Sequence, residues 1–186
     1  QDHVFYRNPC KYYPTVSHGD GIYIVDQSGK RYIDGSGGAV VVSIGHGVEE
    51  IQEAMLQQAS RIAFAHGSQF TSEAAVTLAR RLVDMAPEGL NRVYYLSGGS
   101  EAIETSVKLA MQYQVDRGKP MKYMVISRWS SYHGNTLGAL ALSGHTGRRR
   151  YHQPLIQHTP HIAPAYCFRC PYGLAPESCG LECAEE

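Results

Sequence analysis

The fold is decided at residues 94–104, which read Tyr-Tyr-Leu-Ser-Gly-Gly-Ser-Glu-Ala-Ile-Glu. An apolar run ends in two glycines and leads into a helical pattern, which predicts a buried strand, a tight turn and a helix. The first amides of such a helix have no intrahelical partner and lie at its positive end, where they attract anions. The glycines let an anion approach the backbone, and the serine adds a hydroxyl at the cap. The sequence therefore predicts a phosphate site at Gly98, Gly99 and Ser100, with an ordinary strand-to-helix connection as the alternative.

The residues after this turn continue an alternation of helix and strand. Apolar spacing predicts a helix over 100–117, which Gly118-Lys119-Pro120 ends, and then a second strand over 122–127. Further helices are predicted at 48–60, 72–86 and 135–142, and the first strand at 93–97. This alternation indicates an α/β fold with parallel strands. The sequence contains no internal repeat.

A second segment of interest follows the strand at 122–127. Tyr132-His133-Gly134 lies where ligands of open α/β sheets usually bind. We expect Tyr132 to stack on a flat cofactor ring, while the phosphate site holds the other end of the same molecule. A core or interface aromatic is the alternative for Tyr132. His133 fits either a cofactor contact or a hydrogen bond behind it.

These two segments resemble the class III aminotransferases (subgroup III, the omega-amino acid type), which are pyridoxal phosphate enzymes. The resemblance rests on Ser-Gly-Gly-Ser-Glu-Ala-Ile-Glu at 97–104 and Tyr-His-Gly at 132–134. Three earlier blocks agree in the same order: the hairpin pattern at 21–35, Ile-Gly-His-Gly at 44–47, and Phe-Thr-Ser-Glu at 70–73. A collinear match over about residues 20–165 is far more specific than one short motif.

The resemblance implies a fold and a set of cofactor contacts. The fold is fold type I, the aspartate aminotransferase-like large domain, here incomplete and preceded by a β-rich segment of the small domain. Residues 1–60 would be that segment with its linking helix, and residues 61–186 the first part of the large domain. Pyridoxal 5'-phosphate would be held by Gly98, Gly99, Ser100, Tyr132 and His133.

The lysine that such an enzyme needs to attach its cofactor has no match here. The five lysines are Lys11, Lys30, Lys108, Lys119 and Lys122, and none has the family's sequence context. We therefore predict no catalytic residue in this chain, interpret it as the N-terminal part of an enzyme, and expect it to be inactive alone. Because residue 1 is Gln rather than Met, we also expect the natural N-terminus to differ.

The expected activity is transfer of an amino group from an amine or omega-amino acid to a keto acid such as pyruvate. Val40 falls where several relatives place a bulky aromatic, which would give an aliphatic substrate pocket wall; an ordinary strand residue is the alternative. A decarboxylase, aminomutase or racemase of the same family is a second possibility. A third is a non-enzymatic protein that binds a phosphorylated ligand or zinc.

Composition restricts the partners. Lys plus Arg number 17 and Asp plus Glu 17, so net charge gives no case for nucleic acid or an anionic membrane. No apolar run approaches the length of a transmembrane helix. The basic run Arg148-Arg149-Arg150 is interpreted as a solvated loop. The resemblance implies a cytoplasmic homodimer with its active site at the interface.

Four of the five cysteines cluster near the end of the chain, as Cys167-x-x-Cys170 and Cys179-x-x-x-Cys183. Thiols at these spacings are compatible with a tetrahedral zinc site. They are equally compatible with disulfides in an exported protein, or with free structural thiols. We favour free thiols and no metal.

Overall fold

The computed structural model describes residues 3–185. The expectation drawn from Gln1 therefore concerns a residue outside this range. The chain divides into two compact units, one up to Asn91 and one from Arg92 onward, and each is described by itself. The assignment of 1–60 and 61–186 to a small and a large domain stays a prediction.

The first unit opens with a three-stranded antiparallel sheet. Its strands are β1 (Val16–Asp20), β2 (Tyr23–Asp26) and β3 (Arg31–Ile33), in that order across the sheet. Ile24 pairs with Gly19 on one side and Tyr32 on the other. The hairpin predicted from the pattern at 21–35 is thus confirmed.

One turn and two helices follow the sheet. The turn α1 (Gly37–Val40) has positive φ at every residue, and the helices are α2 (Glu49–Arg61) and α3 (Glu73–Met85). The hydroxyl of Ser72 accepts a hydrogen bond from the amide of Ala75 at 3.2 Å, which satisfies one otherwise unpaired donor at the start of α3. Both helices were predicted to within one residue at each end.

The second unit contains helices around one short parallel pair. The helices are α4 (Gly99–Asp116), α5 (Leu137–Leu142), α6 (Thr146–Arg149) and α7 (Glu182–Glu185). The strands are β4 (Ser127–Arg128) and β5 (His161–Ile162), with Ser127 opposite His161. Single 3-10 turns lie at Gln153–Leu155, Cys167–Arg169 and Pro176–Ser178. The helix predicted over 100–117 is confirmed, and the one over 135–142 begins two residues later than predicted.

The strand predictions in this unit are wrong at 93–97 and only partly right at 122–127. Within residues 3–185, no β-ladder includes 93–97, and the second segment is paired only at Ser127. A strand exists through hydrogen bonds to a neighbouring strand, which an apolar run does not supply by itself. Tyr94 accordingly remains 77% exposed.

The core of the second unit is α5. Ala139, Leu140, Ala141 and Leu142 are all buried, whereas α4 buries no residue completely. The described chain exposes 15629 Å² of surface, against about 9,000 Å² for a compact monomer of this mass. Much apolar side-chain surface therefore lacks a covering element among residues 3–185. None of the helices in this range is both long and apolar enough to cross a membrane.

Candidate functional site

The N-terminus of α4 is open, as the glycine turn predicts. The cap residue Gly98 has extended backbone angles and no side chain to accept from the helix. The first helical hydrogen bond runs from the amide of Ala102 to the carbonyl of Gly98 at 3.0 Å, so the amides before it have no helical acceptor. A Cβ at Gly99 would meet nothing within 4 Å. An anion can therefore reach the backbone at this end.

One negative charge already lies at this end of the helix. The Glu101 carboxylate approaches Gly98 so closely that a Cβ there would lie 2.6 Å from its Oε2. An acidic residue in the first turn interacts favourably with the helix dipole. A phosphate at the same amides would displace this carboxylate.

The structure joins the glycine turn to the Tyr-His-Gly segment. The Oγ of Ser100 accepts a hydrogen bond from the amide of Asn135 at 2.9 Å. Gly134 has φ +144°, and a Cβ on it would lie 2.5 Å from Ser100 Oγ. Only glycine fits there, because both the backbone angle and the space exclude a side chain. Two segments more than 30 residues apart thus meet at Ser100.

Tyr132 presents an aromatic surface beside this junction. Its ring is 56% exposed, and the guanidinium carbon of Arg148 lies 4.8 Å from the ring centroid. Such a contact is a cation–π interaction and occupies one face of the ring. The other face is the one on which a flat molecule would stack.

His133 is held by its backbone. Its amide donates to the Oγ of Ser143 at 2.8 Å, and that hydroxyl donates to the carbonyl of Ala139, also at 2.8 Å. Ser143 is completely buried. The Tyr132–His133 backbone is therefore fixed against the end of α5.

Glu104 is a site residue that the sequence reasoning missed. Its Oε1 accepts from the hydroxyl of Thr136 at 2.6 Å and from the amide of Ala139 at 3.2 Å, which caps the start of α5. Its position four residues after Ser100 was the available signal, because residues i and i+4 share one helix face. α4 thus contacts both the loop after Tyr132 and the helix behind it.

The interpretation of Arg148-Arg149-Arg150 as a solvated loop is wrong for Arg149. This side chain is buried and donates to carbonyls at the end of α5, whereas Arg148 and Arg150 are exposed. Three consecutive cations give no sequence signal for which one turns inward.

In the first unit, Val40 lies in a left-handed turn and not in a strand. It has φ +66° and is 87% exposed, so the strand alternative for this residue is wrong. The turn is anchored by Asp34, whose Oδ1 accepts from the Gly38 amide at 3.1 Å and whose Oδ2 lies 2.9 Å from His46 Nε2. These two contacts, the amide first, hold the pKa of Asp34 below its ordinary value.

Four cysteines cluster near the end of the described chain. Cys167, Cys170, Cys179 and Cys183 are free thiols, as is Cys10. Among residues 3–185, no group of three or more His, Cys, Asp and Glu side chains is placed to hold a metal ion. Cys179 instead donates weakly to the Glu182 carboxylate at 3.5 Å.

Comparisons with known proteins identify one family. The sequence profile of the family "Aminotransferase class-III" matches residues 6–184. An uncharacterized aminotransferase of Bacillus subtilis, YodT, is 46% identical over 157 residues, which is 84% of this chain and 35% of that protein. The adenosylmethionine-8-amino-7-oxononanoate aminotransferase of Geobacter sulfurreducens is 40% identical over 92% of this chain and 38% of that protein. The chain therefore spans well under half the length of these relatives.

A solved structure of an omega transaminase shows the same similarity in three dimensions. The omega transaminase of Pseudomonas jessenii, crystallised in complex with PMP, superposes with a TM-score of 0.82 at 28% identity, covering 90% of this chain and 39% of that one. The chain belongs to the class III aminotransferases, and its fold is part of fold type I.

Proposed function

We propose that this chain is the N-terminal part of a pyridoxal phosphate-dependent aminotransferase. It would transfer an amino group from an amine or omega-amino acid to a keto acid such as pyruvate. The observation that carries the proposal is the hydrogen bond from Asn135 to Ser100, which unites the open helix end with the Tyr-His-Gly segment. Family membership and the omega transaminase structure support the same reaction class.

The residues of this site fit the cofactor. Gly98, Gly99 and Ser100 would hold its phosphate through amides and one hydroxyl, because Ser100 Oγ accepts from Asn135 and its proton remains to be donated. Tyr132 would stack on the ring, and His133 would fix the position of Tyr132 through its backbone. When bound, pyridoxal phosphate supplies an electron sink for bonds to the substrate amine carbon.

We propose that the lysine which attaches the cofactor is not among the five lysines of this chain. Lys108 lies in the middle of α4, and Lys119 and Lys122 follow its end. Lys11 and Lys30 lie near Tyr13 and Tyr32 in the first unit. None lies in the segments around Ser100 and Tyr132. The 186 residues alone would then be inactive.

Val40 is proposed to contact substrate, because its aliphatic side chain is presented on a rigid, exposed turn. An aliphatic wall at this position favours small or flexible amino donors over aryl amines. The extensive exposed apolar surface supports a homodimer with its site at the interface. We propose a cytoplasmic location on the resemblance alone.

The experiment that tests this function uses the whole natural protein that contains this chain, with added pyridoxal phosphate. We expect a visible absorption band, its loss on borohydride reduction, and formation of alanine from pyruvate and an amine donor. Release of carbon dioxide from an amino acid donor that carries a carboxylate on its amine carbon would instead favour a decarboxylase. Absence of any band or saturable binding would contradict the cofactor site itself.

Two variants with matched controls locate the site. Ser100→Ala removes one hydrogen bond to a charged group, which is worth about 1.5–3 kcal/mol and so weakens cofactor binding roughly 10- to 150-fold. The control is Ser106→Ala on the same helix, because Ser106 Oγ donates only to the Ile103 carbonyl at 2.8 Å. Tyr132→Ala is paired with Tyr151→Ala, since Tyr151 is also exposed and contacts Arg150. Equal binding by site and control variants would show that the assignment is wrong.

A further inference from the structure

Arg149 is a buried cation without a paired anion. It is 6% exposed, and no ion pair within residues 3–185 includes it. Burial of an unpaired charge is unfavourable unless hydrogen bonds compensate. Such a group needs an explanation beyond chance packing.

The hydrogen bonds that compensate for the burial of this charge all involve one nitrogen of Arg149, Nη1. Arg149 Nη1 donates to the carbonyl of Ala141 at 2.6 Å and to that of Ser143 at 2.7 Å, with a longer contact to Leu140 at 3.3 Å. These carbonyls lie at the C-terminal end of α5, where unpaired acceptors and the negative end of the helix dipole favour a cation. Arg149 therefore fixes the position at which the chain leaves α5.

Two aromatic rings complete this environment. The guanidinium carbon of Arg149 lies 5.7 Å from the Trp129 ring centroid, and Nη1 lies 3.3 Å from His161 Nε2. His161 Nδ1 is 2.9 Å from the Thr159 carbonyl. His161 Nε2 also lies 3.2 Å from the Leu142 carbonyl, at the same end of α5. Trp129 lies three residues before Tyr132, so Arg149 also contacts the chain just before the Tyr-His-Gly segment.

Ser143 links Arg149 to the backbone beside Tyr132. Arg149 holds the carbonyl of Ser143, and the hydroxyl of Ser143 accepts from the His133 amide. The next residue, Gly144, exchanges hydrogen bonds with the same loop, donating to the Ser131 carbonyl and accepting from the Ser130 amide. A Cβ at Gly144 would collide with the Arg128 carbonyl. Several hydrogen bonds therefore connect the loop to the end of α5.

We infer that Arg149 is a positioning residue for the cofactor ring, acting through Ser143 on the Tyr132–His133 backbone. This inference rests on the proposed function, because it concerns the ring that Tyr132 would stack on. Arg149 itself contacts neither the open end of α4 nor the Tyr132 ring among its observed contacts.

The test compares four single variants and the Arg149→Met/Ser143→Ala double variant of the whole natural protein by two measurements. Arg149→Met removes the donor, Arg149→Lys keeps a cation with three N–H groups on one nitrogen, and Ser143→Ala removes only the hydroxyl link. Thr159→Ala is the control, because Thr159 Oγ1 donates to the same Ala141 carbonyl at 2.6 Å. The measurements are hydrogen exchange of the His133 amide and the dissociation constant of pyridoxal phosphate.

We expect Arg149→Met and Ser143→Ala each to speed His133 exchange and to weaken cofactor binding by about tenfold or more, as loss of one hydrogen bond implies. Compared with Arg149→Met, Arg149→Lys should restore most of the protection of the His133 amide and most of the cofactor affinity. Thr159→Ala should change neither quantity by more than about twofold. The double variant should be no weaker than Arg149→Met alone, since both changes act on one link.

The opposite results overturn the inference. If Ser143→Ala keeps His133 protection and cofactor affinity, the link does not exist, even if Arg149→Met fails to fold. If Arg149→Met binds the cofactor as well as Thr159→Ala does, the arginine has no positioning role. If the unmodified protein shows no saturable binding, the proposed function fails and the inference with it.

Discussion

The β2–β3 hairpin and the α5 segment are stabilised by opposite kinds of interaction. The hairpin is organised around one carboxylate: Asp26 accepts from the Ser28 hydroxyl and amide, the Lys30 amide and the Tyr32 hydroxyl. α5 is organised around apolar burial, because Ala139, Leu140, Ala141 and Leu142 are all buried. Glu104 contacts the start of α5 and Arg149 its C-terminal end through hydrogen bonds.

The two regions also differ in how far apart their partners lie in the sequence. All contacts to the Asp26 carboxylate come from residues within six positions. Those that close the ends of α5 come from up to 35 positions away. The carboxylate cluster uses partners that are close in the sequence, whereas a buried helix of six residues depends on the rest of its unit.

The largest expected effect is on the apolar region. Leu140→Ala should lower the free energy of unfolding by about 2–5 kcal/mol, because it leaves a cavity at a buried position. Leu109→Ala on α4 should change it by less than about 0.5 kcal/mol, because Leu109 is 68% exposed. Urea unfolding followed by circular dichroism measures both. Equal costs would mean that Leu109 is covered in solution and that the contrast between α4 and α5 is not real.

A smaller effect is expected at the polar end of α5. Glu104→Ala should cost about 1 kcal/mol, as removal of a helix cap does, and Glu104→Gln should cost less because it keeps an acceptor. Asp116→Ala is the control, since Asp116 accepts only from Gln112 on the surface of the same helix. The same unfolding assay applies, and a control as costly as Glu104→Ala would contradict the capping role.

The smallest effect is confined to acid and to the hairpin. The Ser28 hydroxyl, and then Tyr32 and the Lys30 and Ser28 amides, lower the pKa of Asp26 to about 2. A depressed carboxyl pKa stabilises the fold above the unfolded value of about 3.9 and loses that contribution as pH falls through the folded value. The stability difference between wild type and Asp26→Asn should therefore be constant above about pH 5 and shrink between about pH 4 and pH 2.

Thermal unfolding at a series of pH values measures this difference, with NMR signals of Tyr32 reporting on the hairpin. Methyl signals of Leu140 should not follow the same titration, because Leu140 is buried in the second unit, whereas Asp26 belongs to the first. A difference that persists unchanged to pH 2 would contradict the proton linkage of Asp26.

The sequence predicted the elements that local patterns specify. The helices at 49–61, 73–85 and 99–116 and the hairpin match their predicted bounds closely. The open glycine turn was also predicted, since Gly98 and Gly99 precede a regular helix. The strand prediction failed at residues 93–97. These residues have a strand's composition, but no neighbouring strand in the described chain pairs with them.

For the candidate site, the sequence predicted the two segments and identified their family, and the family is confirmed. Only the tertiary structure decided how they meet: Asn135 on Ser100, Glu104 at the start of α5, and Arg149 turned inward while its neighbours stay exposed. The physical reason is distance along the chain. Helix periodicity and turn chemistry act over a few residues, but these contacts join residues six to 35 positions apart and form only when α5 is packed.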